Sequence, residues 1–351
     1  MKIAFLSFYS GEVYRGVETY VHELSNRLVG LGHDITVYQN GPKLKDSNYK
    51  TVTIGLKIDW SAKSFGFPFI NYWSLLVKKF TQESLKRMDK GTDAIIAGNG
   101  QWGSLLCKLW ALKNHKKLVI SGQSGVGLED RFNLYLFPDA FVPISTRALK
   151  ASRLRNPFVK SVYIPNGVDL SKFKPEGITH NIKLPRPIIL IVGALFPYKR
   201  IDLAIKAVSR LGGASLLVIG KGPEHDRLLD LGSKLLGERF TILDLPFEDM
   251  PEIYRSADLF TLPSVAHQSF EIVLVEAMAS GLGVVANNDP IRREIVGDAG
   301  LFVDPNDTEA YALALKKALA IKWGSKPRNQ AGRFSWDDIA TKYEKLFKEL
   351  I

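Results

Sequence analysis

The sequence predicts an α/β protein built from two doubly wound parallel-sheet domains that face a cleft. Short, almost wholly apolar runs alternate with amphipathic segments along most of the 351 residues, which is the order of βαβ units with right-handed crossovers. Residues 171–187 are rich in Pro and Lys and lack apolar periodicity, so they predict a linker. A new series of apolar runs begins directly after them, which predicts a second domain of the same kind.

The first domain is predicted over residues 1–172. Its first strand contains KIAFL, which is nearly all apolar, as in a parallel sheet covered on both faces. A helix is predicted next, because apolar side chains recur at helical spacing at Val17, Val21, Leu24 and Leu28. The pattern continues through DITVY, KTVTIGLKI, a helix near NYWSLLVKKFTQESLKRM, DAIIAGNG and KKLVISGQSG. The last strands of this domain are predicted at AFVPIS and SVYIPNGV.

The second domain is predicted over residues 173–334. Its strands are expected at PIILIVGA, SLLVIGKG, RFTILDL, DLFTLPS, GVVANN and GLFVD. Its helices are expected at IDLAIKAVSRL, DRLLDLGSKLL, DMPEIYRSA, SFEIVLVEAMAS and TEAYALALKKALAI. A last helix within residues 335–351 is predicted to return to the first domain. We detect no low-complexity tract and no short internal repeat.

Composition narrows the class of protein. With 46% hydrophobic and 24% charged residues the chain is globular, and no apolar run approaches the ~20 residues of a membrane span. The amino terminus has a short apolar stretch and no small-residue cleavage site, so we interpret it as a strand and not a signal peptide. The single cysteine, Cys107, excludes an internal disulfide and suits a reducing cytosol. These features predict a cytoplasmic protein.

The positive charge lies entirely in the first half of the chain. Residues 1–160 carry 23 Lys and Arg against 12 Asp and Glu, whereas residues 161–351 carry 24 of each. The excess suits an anionic lipid, a phosphorylated substrate or nucleic acid, or is simply a solvated surface. Residues 60–88 interleave aromatic and basic side chains, so they either rest on an anionic membrane or supply core aromatics. No nucleic-acid-binding motif accompanies the charge, so nucleic acid is not favoured.

Ligands of such sheets bind beyond the carboxyl ends of the strands, which directs attention to the segment HQSFEIVLVEAMASG. It predicts a helix with Ser269 as N-cap, Glu271 in the first turn and Gly281 at its end. The first backbone N–H groups of a helix lack internal partners and form an anion site. Here these groups belong to Phe270, Glu271, Ile272 and Val273.

Glu276 is the unexpected residue of this helix. Its neighbours in sequence are apolar, and a buried carboxylate is costly unless something hydrogen-bonds to it. It either accepts hydrogen bonds from ligand hydroxyls or caps the backbone of a neighbouring loop. Gln268, just before the helix, is able both to donate and to accept.

Two cations, Lys199 and Arg200, follow the first strand of the second domain. They either hold a diphosphate, with Arg200 as a bidentate fork, or flank the next helix on its solvent side. The turn GKGPE is too short for a dinucleotide fingerprint or a P-loop, which favours a tight turn. Gly16, at the start of the first helix, is a further phosphate candidate.

Other chemistry finds little support in the sequence. The six histidines show no HExxH motif and no metal-ligand clustering, so no metal is predicted. No GxSxG nucleophile elbow is present. We therefore expect no cofactor.

Taken in order, these segments resemble the retaining nucleotide-sugar glycosyltransferases with two Rossmann-like domains, the GT-B fold of glycosyltransferase family 4. The resemblance runs along nearly the whole chain. It is strongest at IPNGVDLSKFKP, VGALFPYKRIDLAIKAV, VIGKGPE, SFEIVLVEAMASGLGVV and REIVGDAGLFVDPND. At the amino terminus, RGVETYVHELSNRLVGLGHDITVY matches the family's glycine loop, first helix and second strand.

The resemblance implies roles for particular residues. Glu276 would bind the ribose hydroxyls of the donor, and Lys199 with the N–H groups from Phe270 to Val273 would hold its diphosphate. Gly16 would let the backbone approach the distal phosphate. The base would be recognised near Leu243, and Gly193 is the strand glycine of the donor site.

Four positions depart from the family's pattern. The first glutamate of a pair spaced eight apart is Gln268, and Glu271 stands where glycine is usual. Ala194 replaces an arginine after the strand glycine, for which Arg200 would compensate. Gln123 stands where the family often has a catalytic-cleft histidine. These differences bear on the rate and on the donor sugar.

The resemblance implies a metal-independent enzyme that moves a hexose from a nucleoside-diphosphate sugar to an acceptor hydroxyl with retention. The acceptor would be lipid-linked, phosphorylated or a saccharide, as in surface polysaccharide or glycolipid synthesis, with peripheral contact to an anionic membrane. A non-catalytic nucleotide-sugar-binding homologue or partner subunit is the alternative. A third hypothesis for the function is a nucleotide-sugar epimerase or a glycosyl phosphorylase built on the same fold.

Overall fold

The computed structural model describes residues 1–62, 67, 69–125, 127–266 and 270–351. The chain divides into two compact units. The first unit comprises Met1–Asn166 together with Trp336–Ile351, and the second comprises Gly167–Ser335. The last helix of the chain therefore belongs to the first unit, and residues 171–187 belong to the second.

The first unit contains a parallel six-stranded sheet in the order β3-β2-β1-β4-β5-β6. Its strands are β1 (Lys2–Ser7), β2 (Asp34–Gln39), β3 (Lys50–Thr53), β4 (Ala94–Ala97), β5 (Lys117–Gly122) and β6 (Ala140–Pro143). Its helices are α1 (Gly16–Gly30), α2 (Tyr72–Lys86), α3 (Trp102–Asn114), α4 (Leu128–Tyr135), α5 (Thr146–Arg155) and, at the end of the chain, α13 (Trp336–Leu350).

The second unit repeats this plan, with a parallel sheet in the order β12-β11-β10-β7-β8-β9. Its strands are β7 (Ile188–Val192), β8 (Ser215–Ile219), β9 (Phe240–Leu243), β10 (Leu259–Leu262), β11 (Val284–Asn287) and β12 (Gly300–Val303). Its helices are α6 (Ile201–Ser209), α7 (His225–Leu236), α8 (Met250–Arg255), α9 (Ile272–Ala279), α10 (Pro290–Val296), α11 (Thr308–Ala320) and α12 (Lys326–Gly332). The predicted pair of doubly wound parallel sheets is confirmed.

Central strands are buried because they are covered on both faces. Every residue of β1 from Ile3 to Ser7 is buried, and Ile3 pairs with Ile35 on one side and Ala94 on the other. On α1, Val21, Leu24 and Leu28 are buried as the periodicity predicts. A near-continuous apolar run is the pattern that a strand between two helical layers requires.

The final helix completes the core of the first unit. Trp336 is 1% exposed and lies 6.3 Å from Tyr20 between ring centroids. The Tyr20 hydroxyl donates to the Tyr343 hydroxyl over 2.9 Å, and both rings are buried. At the outer end, the Lys160 ammonium pairs with Glu349 at 2.7 Å. The apolar face of α13 is thus part of the first unit's interior.

Several predicted elements differ from the structure. SVYIPNGV is not a strand: Ser161 forms an isolated bridge with Phe141, and the pairing stops at Pro165, which has no N–H to donate. The strand predicted at KTVTIGLKI ends at Thr53. Helices α3, α4, α5, α10 and α12 were not predicted.

Each sheet reverses its strand order at one point. In the first unit this switch lies between β1 and β4, and in the second between β7 and β10. Ligands of open α/β sheets bind at such a switch, beyond the carboxyl ends of the strands. In the second unit the loops that meet there carry Lys199 and Glu271. The fold therefore brings together two residues that are 72 positions apart in sequence.

Candidate functional site

Lys199 lies in a short 3₁₀ turn, Pro197–Lys199, between β7 and α6. Arg200, which follows it, has a left-handed backbone with φ of 51° and precedes the first residue of α6. The side chain of Lys199 is 14% exposed, and its ammonium lies 5.6 Å from the ring centroid of Tyr198. The cation is therefore held close to the protein at the carboxyl end of β7 and retains some access to solvent.

Glu271 is the partner of Lys199. The Lys199 ammonium donates to Oε1 of Glu271 over 2.5 Å, and Nη2 of Arg292 lies 3.2 Å from Oε2. The side chains of Glu271 and Arg292 are 5% and 1% exposed. Burial raises the pKa of Glu271, but the attraction of Lys199 and then Arg292 outweighs it, so the pKa lies below its usual value. Glu271 is a buried carboxylate held between two cations.

Helix α9 begins at Ile272, two residues after the start that the predicted N-cap at Ser269 implies. Glu271 precedes Ile272 with φ of 53° and ψ of 83°, so its placement in the first turn was wrong. Its side chain makes no capping hydrogen bond to the helix, whereas its carbonyl accepts from Leu274 N–H at 3.1 Å. The groups that open the helix are the N–H groups of Ile272 and Val273.

Phe270 is buried and packs against another aromatic ring. It is 1% exposed, and its ring lies 5.3 Å from that of Phe334 between centroids. It fixes the chain just before α9. The predicted N-cap Ser269 and the predicted sugar-binding residue Gln268 lie outside the described residues.

The buried carboxylate of Glu276 has a protein partner. The Tyr254 hydroxyl, on α8, donates to Oε2 of Glu276 over 2.8 Å, and both residues are buried. Burial, followed by the neighbouring Glu276 carboxylate, raises the pKa of Tyr254 well above its usual value. Tyr254 is thus one side-chain partner of Glu276, and the loop-backbone alternative stays a prediction. Ribose binding by Glu276 stays a prediction.

Arg200 connects the loops that follow β7 and β10. Its Nε donates to the Pro263 carbonyl at 2.8 Å and its Nη2 to the Ser264 carbonyl at 3.1 Å. Two donors of the guanidinium are therefore used by the backbone. Arg200 also lines a cavity of about 330 Å³, together with Ala266, Asn287, Asn288, Asp304 and Asn306. The cavity lies at the carboxyl ends of β11 and β12, where ligands of such sheets bind.

The glycines after β7 and β8 serve close backbone packing. Gly220 has φ of 145°, and a Cβ there would lie 2.1 Å from the Gly193 carbonyl oxygen. A Cβ at Gly222, with φ of 159°, would lie 2.5 Å from the Leu195 carbonyl oxygen. Only glycine fits either position, so packing explains the two glycines of the turn GKGPE.

Gly193 and Leu243 lie at the carboxyl edge of the second sheet. The Gly193 N–H donates to the Ile219 carbonyl at 3.0 Å, and the Leu243 carbonyl accepts from Gly220 N–H at 2.9 Å. Both residues are half-buried. The edge is therefore ordered by main-chain hydrogen bonds between successive loops, and the donor-binding roles of the two residues stay predictions.

In the first unit, Gln123 forms a reciprocal amide pair. Its Nε2 donates to Oδ1 of Asn166 at 3.2 Å, and Nδ2 of Asn166 donates back to its Oε1 at 2.9 Å. Nε2 also reaches the Ser121 hydroxyl at 2.8 Å. Gln123 is thus fixed by neighbours at the carboxyl end of β5. Gly16 is exposed as the first residue of α1.

Sequence reasoning missed three residues. Arg292 is fully buried on α10 and forms the second ion pair of Glu271, and the Tyr254 hydroxyl donates a hydrogen bond to Glu276. Asp130 on α4 is buried, and burial followed by the nearby Glu129 raises the pKa of its carboxyl well above the usual value. One sequence feature could have pointed to Arg292, because it lies three residues after the Asp of an Asp-Pro pair that starts a helix. No sequence feature pointed to Tyr254 or Asp130.

Residues 60–88, predicted either to rest on a membrane or to supply core aromatics, contain both buried and exposed apolar side chains. On α2, Val77 and Phe80 are buried and contribute to the core, whereas Leu75 is 47% exposed. Trp60 is 50% exposed and packs beside Trp73 at 5.8 Å between ring centroids. Residues 63–66 and 68 of this segment lie outside the described residues. Among the helices described, none has both the length and the apolar character needed to cross a bilayer.

Family models match both halves of the chain. The model described as "Glycosyl transferases group 1" matches residues 176–334, and the model described as "Glycosyltransferase Family 4" matches residues 14–172. The two matches lie side by side and together span most of the sequence.

Named relatives match about half of the chain. An exopolysaccharide phosphotransferase of Streptomyces coelicolor is 33% identical over 201 residues, which are 54% of this chain and 21% of that protein. A phosphatidyl-myo-inositol mannosyltransferase of Mycolicibacterium smegmatis is 28% identical over 201 residues, which are 54% and 52% of the two chains. The chain thus spans about half or less of the length of these relatives.

Solved structures match the whole chain. A sucrose-phosphate synthase from Thermosynechococcus elongatus has a TM-score of 0.77 at 21% identity, covering 99% of this chain and 98% of its own. The Anabaena protein HepE in complex with UDP-glucose has a TM-score of 0.76 at 19% identity, covering 99% and 100%. At these identities the likeness shows the fold, and it confirms the two-domain GT-B class expected from the sequence.

Proposed function

Because this chain belongs to the glycosyltransferases of group 1 and family 4, we propose that it moves a hexose from a nucleoside-diphosphate sugar to an acceptor hydroxyl with retention of anomeric configuration. One observation carries the proposal. Lys199 lies beside the start of α9, at the strand-order switch of the second sheet. A cation next to helix N–H groups at such a point suits a diphosphate.

The proposed chemistry is the departure of a nucleoside diphosphate. The bond between the anomeric carbon and the diphosphate oxygen breaks, and the electron pair stays on the oxygen. Lys199 and the N–H groups of Ile272 and Val273 stabilise the developing negative charge, as preorganised donors do. The departing phosphate oxygen takes the proton of the acceptor hydroxyl as the new glycosidic bond forms on the same face.

We assign the ribose of the donor to Glu276. The Tyr254 hydroxyl donates a hydrogen bond to Oε2 of this carboxylate, which orients the carboxylate on the apolar helix α9. A fixed carboxylate recognises a pair of vicinal hydroxyls well, because it offers several acceptor positions. We assign the base to the half-buried edge around Leu243, and the sugar hydroxyls to Gln268.

Donor and acceptor classes follow from the relatives. HepE has been solved with UDP-glucose, which makes UDP-glucose the first donor to test. One relative is named a phosphatidyl-myo-inositol mannosyltransferase, and another, from Mycobacteroides abscessus and 31% identical over 195 residues, a D-inositol 3-phosphate glycosyltransferase. We therefore propose a lipid-linked, phosphorylated or saccharide acceptor. The product would belong to surface polysaccharide or glycolipid synthesis.

The test is turnover with a panel of UDP-, GDP- and ADP-sugars. We expect Lys199→Ala to lower turnover by roughly 100-fold or more, the scale for one lost oxyanion donor. Lys206→Ala is the matched control, because Lys206 is 47% exposed on α6 and pairs with Asp202. Normal turnover in Lys199→Ala would show that the diphosphate assignment is wrong.

A non-catalytic nucleotide-sugar-binding homologue is the second candidate, and one observation favours it. Glu271 pairs with Lys199 at 2.5 Å, so the proposed catalytic cation already has an anion beside it. A ligand at 100 times its Kd adds roughly 2.7 kcal/mol to the free energy of unfolding, which a thermal-shift screen detects. Binding without transfer or hydrolysis, across the donors and a range of acceptors, would favour this candidate.

We also propose peripheral contact between the first unit and an anionic membrane. Trp60 and Leu75 present exposed apolar surface in a unit that carries the chain's excess positive charge. Apolar insertion and charge act together at such surfaces. Co-sedimentation with vesicles containing phosphatidylserine tests it: Leu75→Asp should reduce binding, and equal binding to neutral vesicles would contradict the proposal.

A further inference from the structure

We infer that Glu271 is an internal counter-anion: its carboxylate occupies the anion position formed by Lys199, Arg292 and the start of α9, and a phosphate group binds there by displacing it. The identity of the displacing group as the diphosphate of a donor rests on the proposed function. The position itself follows from the ion pairs of the described residues.

Glu271 is the carboxylate that faces both Lys199 and Arg292. The other carboxylate paired with Arg292 is Asp289, at 3.5 Å from Nη1. Asp289 also accepts from the N–H groups of Ile291 and Arg292 as the N-cap of α10, which holds it in place. Displacing Glu271 therefore removes the negative charge shared by Lys199 and Arg292, and an incoming anion would replace that charge.

The Glu271 carboxylate does not behave as a helix cap. A carboxylate at this position usually accepts from the next helical N–H groups, whereas the Glu271 side chain makes no such bond. It turns instead to Lys199 and Arg292. Ile272 and Val273 open α9 directly after Glu271, and helix-opening N–H groups together with cations are the donor set of a phosphate site.

The backbone of Glu271 favours its release. Its φ of 53° is a left-handed conformation that a residue with a side chain adopts only at a cost in free energy. Leaving this conformation recovers that free energy and offsets part of the lost ion pairing. The Lys199 side chain is 14% exposed against 1% for Arg292, so an incoming anion reaches the pair from the side of Lys199.

Binding of inorganic pyrophosphate, measured by calorimetry, tests the inference. We expect Glu271→Gln to bind pyrophosphate at least roughly 10-fold more tightly than the native protein, since a difference of that size needs only about 1.4 kcal/mol. Glu271→Gly, which suits the left-handed backbone, should show the same gain. Glu309→Gln is the charge-matched control, because the Glu309 side chain is 83% exposed on α11.

Two further arms decide the outcome. The double variant Lys199→Ala/Glu271→Gln should lose the gain, because one of the two cations is absent. If the Glu271 variants are unstable, pyrophosphate should raise their Tm more than it raises that of Glu309→Gln. Equal Kd values in native and variant proteins would overturn the inference, and so would variants that stay unfolded in saturating pyrophosphate.

The test separates this inference from the proposed function. If the Glu271 variants bind pyrophosphate more tightly but no nucleotide sugar supports transfer, the counter-anion role of Glu271 stands and the proposed glycosyltransferase activity is refuted. If the native protein transfers sugar but the variants bind pyrophosphate with unchanged affinity, the activity stands and the counter-anion role is refuted.

Discussion

Replacing Lys199 by Met measures the ion pair with Glu271 and gives a pH signature. The change removes the contact at 2.5 Å and leaves a buried carboxylate with Arg292 at 3.2 Å. Breaking a buried pair costs about 3–5 kcal/mol when the remaining charge is left alone. Because Arg292 remains and Lys199 is 14% exposed, we expect a loss of about 2–3 kcal/mol in the free energy of unfolding at neutral pH.

The sign of the pH dependence follows from Glu271. In the native protein the cations hold its pKa below the usual value, so it contributes stability above the unfolded pKa of about 4.3, which is lost as pH falls through the folded pKa. Without Lys199, burial is opposed by less attraction, and we expect the pKa of Glu271 to rise. Protonation of Glu271 then stabilises the variant at a pH where the charged carboxylate still stabilises the native protein. The stability difference between the two proteins should narrow as pH falls from about 7 to about 5.

Urea denaturation followed by circular dichroism at both pH values is the assay. Lys206→Met is the control, because its pair with Asp202 is exposed and should contribute at most about 0.5 kcal/mol with little pH dependence. If the loss in the free energy of unfolding of Lys199→Met is the same at both pH values, the argument is refuted, because Glu271 would then not be the group whose protonation changes the stability.

Three other substitutions test the packing. Tyr254→Phe removes the hydroxyl that donates to Glu276, and we expect a loss of about 1–3 kcal/mol; an unchanged Tm would contradict that hydrogen bond. Gly222→Ala should lower the free energy of unfolding by more than about 1 kcal/mol, whereas Gly212→Ala, where a Cβ meets nothing within 4 Å, should change it little. Trp336→Ala should cost about 3–5 kcal/mol in urea denaturation, because this ring is 1% exposed; a wild-type midpoint would exclude a core role.

The strands were predictable because their residues form short, nearly continuous apolar runs, and the long amphipathic helices because their apolar residues recur at helical spacing. Two of the missed helices, α4 and α5, lack an apolar stripe. The residues that α4 buries are Asp130, Asn133 and Leu134, and those that α5 buries are Ala148 and Ser152. Small and polar buried residues give no periodic signal, so α4 and α5 are fixed by the sheet they cover and not by their own sequence.

The candidate site was predictable only in outline. The family resemblance placed Lys199 with the start of α9, and the strand-order reversal between β7 and β10 gives the physical reason that the two loops lie together. That Glu271 turns its carboxylate to Lys199 did not follow, because it depends on a left-handed backbone and on Arg292 arriving from α10. Contacts between residues far apart in sequence need the fold before they are visible.

The second unit is an insertion within the first along the chain, and its two ends lie side by side. Val168 N–H donates to the Phe334 carbonyl at 2.8 Å, and Val168 bridges Ser335. An inserted unit whose ends lie together need not distort the unit into which it is inserted. During translation Tyr20 is made before the second unit and its partner Tyr343 after it, so this hydrogen bond forms only once residues 167–335 have been synthesised. Nascent chains halted before α13 should therefore carry an open amino-terminal core that chaperones recognise.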